Sequence, residues 1–479
     1  MDNTNISKSS VLSNVIWRFG ERILAQLTTF AVSVVLARKL SASDFGDVAL
    51  LMVFIDIANT LVIQGFASAL IQKKDADDKD FSSVFFFSLL TSVVFYIILY
   101  VFAPLLRLIG DPLLPSLFRV LSLRVILAAV NSVQHAFVQK HMLFKKFFFS
   151  TLIGTIVSAF VGIYMAYSGA GAWAIVAQYL TNTLFDTIVL SFTIGWCPRL
   201  FMDFERIKTL FGFGWKMLCS GLVHVIYGRL QAFFIGTMYS TADLAFYEQG
   251  AKIPGIVETN IDSTINSVLF PLMAAEQDDV GRIKEMIRRS IRTTGFLIWP
   301  MMMGMAVLAD QLISFVFGEK WLPAGIFMIL ACFRLTIEPI QTANLQAIKA
   351  IGRSDLYLKM EIIKKVFGLV VILVGVRISV LATAVATLLQ FVFAGIVNGA
   401  VNRRLFKYRI QEQLYDIIIN ACLSIIMAGI VLIVKNMLDT SLVLKLVLEI
   451  IIGVIVYTLL VLAFNRKQMD YVVNMIRRR

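Results

Sequence analysis

The sequence contains little of what builds a soluble protein or a metal site. Only 16% of its 479 residues are charged, against about 25% in an average soluble domain, while 58% are hydrophobic. It has three histidines and four cysteines, with no CxxC motif, which argues against a disulfide framework and against a zinc site. We therefore predict no metal and no cofactor.

The sequence also lacks a polar stretch long enough to form a soluble domain. The connections between its apolar runs are short, as at residues 73–80 (KKDADDKD) and 352–355 (GRSD). No phosphate-binding glycine loop, HExxH motif or nucleophile elbow is present. We predict that the chain is not an enzyme and, because its basic residues are spread over many loops, that it does not bind nucleic acid.

Fourteen apolar runs of about 20 or more residues are each long enough to cross a bilayer as a helix. These runs lie at residues 11–38, 45–71, 81–106, 116–138, 148–168, 172–195, 212–237, 243–275, 285–310, 324–350, 356–376, 379–400, 414–434 and 443–464. The sequence therefore predicts an all-α polytopic membrane protein with about 14 transmembrane helices.

The distribution of positive charge predicts the orientation of these helices. Of the 44 lysines and arginines, 28 fall on the side of the two termini, six fall on the opposite side, and ten lie within the runs. Because cytoplasmic loops carry an excess of Lys and Arg, both termini are expected in the cytoplasm. Most of the formal charge of +13 thus reports topology rather than a ligand.

A weak internal repeat predicts two lobes. Trp17-Arg18 matches Trp215-Lys216, and residues 41–45 (SASDF) match 240–244 (STADL), at equivalent places six spans apart. The predicted division is a cytoplasmic tail, an N-lobe, a cytoplasmic linker, a C-lobe, two further helices and a basic cytoplasmic tail. Their ranges are 1–10, 11–195, 196–211, 212–400, 401–464 and 465–479.

Charged residues inside the runs are the main functional signal, because each costs about 2.5–3.5 kcal/mol or more at membrane depth unless it faces water or a partner. Arg18 and Arg22 stand four residues apart on one face of the first helix. We expect both to line a cavity, although snorkelling to the cytoplasmic boundary is an alternative for Arg22. Arg229 lies deep in the seventh helix, and Asp56 is an isolated acid in the second.

The eighth helix places several charged side chains on one side. Glu248, Lys252 and Asp262 fall within one arc, and Glu258 lies just outside it. Pro254 is expected to kink or break this helix. The alternative is that Glu248 and Lys252 form an ion pair that only packs the helix.

The tenth helix repeats this pattern on a smaller scale. Arg334 and Glu338 share a face, and Pro339 is expected to interrupt the helix beside them. We interpret Arg334 and Glu338 as a structural pair.

Three parts of the sequence resemble a known family. They are residues 37–46 (ARKLSASDFG), residues 65–72 (GFASALIQ), and residues 268–271 (VLFP) leading to 277–279 (QDD). These segments look like those of bacterial polysaccharide transporters, the Wzx-type flippases and related exporters. Their superfamily also holds multidrug antiporters and the peptidoglycan-precursor flippase. The resemblance covers nearly the whole chain in length, span count and motif order.

The resemblance implies two six-helix lobes around a central cavity, with two more helices at the C-terminus, in the bacterial inner membrane. It implies that polyprenyl-diphosphate-linked oligosaccharide units cross from the cytoplasmic to the outer leaflet by alternating access. The cavity cations expected to bind the diphosphate are Arg18, Arg22, Arg229 and Lys252. The acids expected to line the cavity or to couple transport to H⁺ or Na⁺ are Asp56, Glu248, Glu258 and Asp262.

The expected partners are the lipid-linked oligosaccharide, membrane lipids, a coupling cation, and a polysaccharide polymerase or assembly proteins. Two other functions stay open at this point. A multidrug cation antiporter of the same superfamily would have a site dominated by acidic and aromatic groups. A non-transporting scaffold of a glycan-assembly complex would have little reason to keep charges inside the membrane.

Overall fold

The structure is a computed structural model that describes residues 8–477. Within this range, the side chains of residues 8–16, 18, 19, 213, 262–264, 266, 267, 354 and 475–477 are not described. The predicted site residues Arg18 and Asp262 therefore lie outside the described side chains. The described residues form helices and no strands, which confirms the predicted all-α class.

The chain divides into two compact units, one ending at Ala245 and the other beginning at Phe246. The helices of the first unit are α1 (Lys8–Lys39), α2 (Ala42–Asn59), α3 (Phe66–Gln72), α4 (Asp78–Phe102), α5 (Leu114–Leu121), α6 (Leu123–Lys140), α7 (Phe144–Tyr167), α8 (Ala172–Thr193), α9 (Phe204–Met238) and the start of α10 (Thr241–Ala275). A π-helical turn, Thr60–Gln64, connects α2 to α3, and a 3₁₀ turn, Ala103–Leu108, follows α4.

The second unit continues α10 and adds nine helices. These are α11 (Val280–Val307), α12 (Ala309–Phe317), α13 (Gly325–Leu335), α14 (Glu338–Ala350), α15 (Ser354–Ile378), α16 (Val380–Phe406), α17 (Ile410–Met437), α18 (Leu442–Phe464) and α19 (Arg466–Arg477). A 3₁₀ turn, Glu319–Ala324, precedes α13. The predicted lobe boundary at residues 196–211 differs from this division and stays a prediction.

Within the described residues, nine helical segments are long and apolar enough to cross a membrane, or up to eleven if each of two bent pairs is one span. The bent pairs are α11 with α12, at 75°, and the segment Glu319–Leu335 with α14, at 42°. Three other predicted spans coincide with α8, α10 and α15, which are not among these nine segments and two bent pairs. The number of fourteen therefore stays a prediction.

The prolines act differently in the two helices where we expected a disturbance. Pro339 lies in the first turn of α14, at the break after α13. Proline is favoured in a first turn because an N–H there has no partner within the helix and because its fixed φ is already helical. Pro254 does not break α10, which continues through both Pro254 and Pro271.

The weak repeat has a local structural reason. Ser41 accepts a hydrogen bond from the backbone N–H of Asp44 and donates its hydroxyl to the Asp44 carboxylate. Ser240 and Asp243 make the same two contacts. The repeated residues therefore satisfy free N–H groups at the beginnings of α2 and α10.

Helix α9 packs against α2, the π-helical turn and α3. A Cβ atom on Gly65 would lie 2.8 Å from the carbonyl oxygen of Gly214, so these two backbones approach too closely for any side chain. Near the other end of the interface, the Phe54 and Phe233 rings meet edge to face at 5.9 Å. This packing brings the charged residues of α2 and α9 together.

Candidate functional site

The first charged site joins two residues that the sequence predicted separately. Arg229 of α9 binds Asp56 of α2, with Nε at 2.9 Å and Nη2 at 2.6 Å from the same carboxylate oxygen, Oδ2. The Arg229 side chain is 36% exposed and that of Asp56 is 24% exposed. The pair therefore neutralises its own charge, while both side chains stay partly exposed.

The predicted cation on α1 has a more open position. Arg22 is exposed and lies close to the start of the apolar segment Gly20–Lys39. Its neighbour Glu21 is buried. Successive residues point in different directions around a helix, so Arg22 presents its charge away from the face that buries Glu21.

On α10, Glu248 and Lys252 stand one turn apart. Both side chains are half-buried, and the charge of Glu248 acts on the Lys252 ammonium. This arrangement is compatible with the cavity interpretation and with the ion-pair interpretation.

The second arginine pair is Arg334 of α13 with Glu258 of α10. Two parallel hydrogen bonds join them, Nη1 to Oε1 at 3.1 Å and Nη2 to Oε2 at 2.8 Å. The guanidinium carbon also lies 4.5 Å from the centre of the Phe391 ring. Glu338, which the sequence predicts as a structural partner of Arg334, accepts a hydrogen bond from the Thr342 hydroxyl at 3.0 Å, and its charge also acts on Arg334.

The first unit also contains a polar site that the sequence does not predict. The His135 ring nitrogen Nε2 lies 2.9 Å from Asp186 Oδ2, and Asn131 donates to the same oxygen at 2.9 Å. His135 also lines a cavity of about 390 Å³ together with Gln64 and Gln139. The only sequence signal was two isolated polar residues in neighbouring apolar runs, and their separation of 51 positions concealed the contact.

A cluster of charged residues fixes the beginning of α9. Arg206 Nη1 donates to Asp77 Oδ1 at 2.7 Å and to Asp80 Oδ1 at 3.0 Å. Lys73 donates to the other Asp80 oxygen at 2.7 Å. Burial alone would raise the pKa of Asp77, but the backbone N–H of Asp80 and the charge of Arg206 hold that pKa below its ordinary value.

Metal binding has no support in the described part of the chain, where no group of three or more His, Cys, Asp or Glu side chains could hold an ion. The four cysteines are free thiols, with Cys332 buried and the others exposed. The charged residues described above instead offer guanidinium and carboxylate groups, which suit recognition of charged groups on a ligand.

Comparison with known proteins shows similarity along most of the chain. The succinoglycan biosynthesis transport protein ExoT of Rhizobium meliloti (strain 1021) is 25% identical over 367 residues, which cover 75% of this chain and 73% of that protein. The lipopolysaccharide biosynthesis protein WzxC of Escherichia coli (strain K12) is 21% identical over 350 residues, covering 71% and 70% of the two chains.

Among solved structures, the lipid II flippase MurJ in its inward closed conformation has a TM-score of 0.76 to this chain at 14% sequence identity. The match covers 96% of this chain and all of that one. At this identity the likeness shows a shared fold.

The family comparison covers more than half of the chain. Residues 35–325 match the family model described as polysaccharide biosynthesis protein. The chain therefore belongs to the polysaccharide biosynthesis protein family.

Proposed function

We propose that this protein flips polyprenyl-diphosphate-linked oligosaccharide units from the cytoplasmic to the outer leaflet of a bacterial inner membrane. Support comes from its family, from a relative named as a transport protein of succinoglycan biosynthesis, and from the fold it shares with a lipid II flippase. Both termini lie in the cytoplasm in this proposal, and the chain transports without catalysing a reaction.

The Arg229–Asp56 pair is the observation that carries the proposal. A guanidinium that is 36% exposed lies within an apolar helix segment, Gly214–Met238. Phosphate oxygens form short, charge-assisted hydrogen bonds with such a group, often two at once. The pair therefore suits the diphosphate of the substrate.

Asp56 acts as a placeholder in this mechanism. While the site is empty, its carboxylate compensates the Arg229 charge, which would otherwise be expensive within the membrane. An arriving diphosphate competes with Asp56 for the same Nε and Nη2 groups. Release of the substrate on the other side lets Asp56 return, so that no unpaired guanidinium is left behind.

The other predicted residues complete the proposal. Arg18, Arg22 and Lys252 would supply further positive charge for the diphosphate. The acids proposed to take part in coupling to H⁺ or Na⁺ are Asp56, Glu248, Glu258 and Asp262. The two six-helix lobes, and a polymerase or assembly protein as partner, belong to the same proposal.

The test is the combined variant Arg22→Gln and Arg229→Gln, in cells whose surface polysaccharide depends on this protein. Glutamine can still donate a hydrogen bond to Asp56 but carries no charge. We expect surface polysaccharide to be lost and lipid-linked units to accumulate on the cytoplasmic side, while the amount of protein in the membrane stays unchanged.

A matched control removes two charges elsewhere. Arg403 and Arg404 are exposed at the end of α16, and their replacement by glutamine should leave export intact. Full export by the Arg22 and Arg229 variant would overturn the proposal. Drug efflux without any effect on surface glycan would instead support a multidrug antiporter.

A further inference from the structure

A second cationic site lies in the second unit, at one end of α11 and α17. Arg288 and Arg292, here called the arginine pair, stand one helical turn apart on α11 and both bind Asp416 of α17. Arg288 Nε lies 2.9 Å from Oδ2, and Arg292 Nη2 lies 2.6 Å from Oδ1. The Tyr408 hydroxyl donates to Oδ2 at 2.6 Å.

The arginine pair has more positive charge than its partner neutralises. The Asp416 side chain is 0% exposed, whereas those of Arg288 and Arg292 are 38% and 41% exposed. Arg288 uses only Nε, and Arg292 uses Nε and Nη2, to bind this carboxylate. Their other N–H groups have no acceptor among the described residues, so one unit of surplus charge points outward.

Neighbouring charges do not cancel this surplus. Lys284 pairs with Glu412 at 2.8 Å, and Arg289 pairs with Glu285 at 3.2 Å. Each of these cations has its own acid. Among these described residues of α11, only Arg288 and Arg292 share one carboxylate between two cations.

The position of the arginine pair along α11 indicates headgroup depth. The apolar part of α11 begins at about Gly295, three residues beyond Arg292, which corresponds to roughly 5 Å of helix. In the topology that the charge distribution predicts, the pair lies on the side of both termini, which carries most of the positive charge. A guanidinium at this level meets lipid phosphates rather than acyl chains.

The site is also held rigidly before any ligand arrives. Ile283, Ile287 and Ile291 recur every fourth residue on α11 and are all 0% exposed, so this face is fixed in the core. The buried Asp416 carboxylate then orients both guanidinium groups from the α17 side. A ligand would therefore lose little affinity to ordering these side chains.

We propose that the arginine pair binds the phosphodiester group of an anionic phospholipid in the leaflet on the side of the chain termini. A phosphodiester carries one negative charge, which matches the surplus. Its two free oxygens suit the outward N–H groups of a guanidinium fork. This site is separate from the Arg229–Asp56 pair and does not depend on the function proposed above.

The test compares the purified full-length protein in vesicles of phosphatidylcholine alone and in vesicles that also contain phosphatidylglycerol. Native mass spectrometry after gentle release from the bilayer measures how much phosphatidylglycerol stays bound. Arg288→Gln removes the surplus charge, while Arg292 still neutralises Asp416. We expect retention of phosphatidylglycerol to fall about tenfold, as for loss of one charge-assisted contact.

The matched control is Arg289→Gln, the same change one residue further along. Arg289 is 61% exposed and already paired with Glu285, so its variant should retain phosphatidylglycerol like the unchanged protein. Arg288→Lys keeps the charge but loses the fork, and we expect its retention to be intermediate.

Three outcomes would overturn the proposal. The first is full retention by Arg288→Gln, and the second is an equal loss in Arg289→Gln. The third is displacement of phosphatidylglycerol by millimolar inorganic phosphate, since that would identify a soluble anion as the ligand. Loss in both Arg288 variants without a change in thermal stability would support recognition by the fork itself.

Discussion

Each of the two units contains an arginine that binds a carboxylate from another helix, but the two pairs are built differently. Arg229 directs two nitrogens to one oxygen of Asp56 and is 36% exposed. Arg334 meets both oxygens of Glu258, lies against the Phe391 ring and is 18% exposed. The first geometry leaves room for competition by a ligand, whereas the second holds two helices together.

The difference shows that a charge inside the membrane does not by itself mark a binding site. Both arginines lie within predicted spans, and both cost free energy there unless they are paired. What separates them is exposure, which is 36% for the Arg229 side chain and 18% for that of Arg334. We therefore assign binding of the diphosphate to the Arg229 pair and stability to the Arg334 pair, whose Glu258 would act in ion coupling and not in diphosphate binding.

The largest effect should come from breaking the enclosed pair. Arg334→Met leaves Glu258 without this cation, and we expect the free energy of unfolding to fall by roughly 3 kcal/mol, as for other buried pairs that lose one partner. Arg229→Met should cost less, because the Arg229 side chain is 36% exposed and that of Arg334 only 18%. The two acids, Asp56 and Glu258, are about equally exposed. Thermal unfolding of the two purified variants measures the difference.

A double variant is the control for this prediction. Arg334→Met combined with Glu258→Leu removes both charges and should regain most of the lost stability, since no buried charge is left unpaired. If Arg334→Met unfolds at the same temperature as the unchanged protein, Arg334 is not a clamp and the contrast between the pairs disappears.

The next effect concerns binding rather than stability. Asp56→Asn removes the competitor for Arg229, so we expect a polyprenyl diphosphate to bind about tenfold more tightly, which corresponds to roughly 1.4 kcal/mol. Glu258→Gln makes the same chemical change in the other pair and should leave this affinity unchanged. Microscale thermophoresis on folded, purified protein compares the two.

Equal affinities in the two variants would remove the placeholder role from Asp56. Tighter binding by Glu258→Gln alone would reverse the assignment of the two pairs. Export by Asp56→Asn adds a second measurement, because a diphosphate that binds too tightly should be released more slowly and lower the rate of transport.

The sequence predicts the helices well because a long apolar run has one physical solution in a bilayer, a helix with its backbone hydrogen bonds satisfied internally. The positions of α2, α9 and α16 follow from this reasoning. It also predicts the break at Pro339, where a missing N–H and a fixed φ leave few alternatives. It did not predict the π-helical turn, Thr60–Gln64, where no proline interrupts the run.

The partners of the charged residues could not be predicted in the same way. A helical periodicity gives the face of each residue but not the rotation of one helix against another. Arg229 and Asp56 are 173 residues apart, and the close approach of Gly65 to Gly214 contributes to the packing that joins their helices. A four-residue spacing on one helix predicts that Arg334 and Glu338 share a face, but no local rule predicts the contact of Arg334 with Glu258, which lies 76 residues away.

The smallest effect tests whether acid loosens the two units differently. The lowered pKa of Asp77 means that its ionised form stabilises the fold at a pH above about 4, the ordinary value for Asp, and that this stabilisation is lost as the pH falls through the lowered value. Because Asp77 is half exposed, the loss should stay below about 1 kcal/mol. Asp416, by contrast, is fully enclosed by three donor side chains.

Hydrogen exchange with mass spectrometry at pH 6 and at a series of pH values from 4 downwards, corrected for the intrinsic exchange rate, follows both places at once. At the lower pH values we expect protection to fall at the start of α9, around Arg206, and to persist at the start of α17, around Asp416. Asp77→Asn should already show the lower protection at pH 6 and change little on acidification. If α17 loses protection first, the exposed Asp77 contact is not the weaker of the two, and the predicted difference between the two units in acid is wrong.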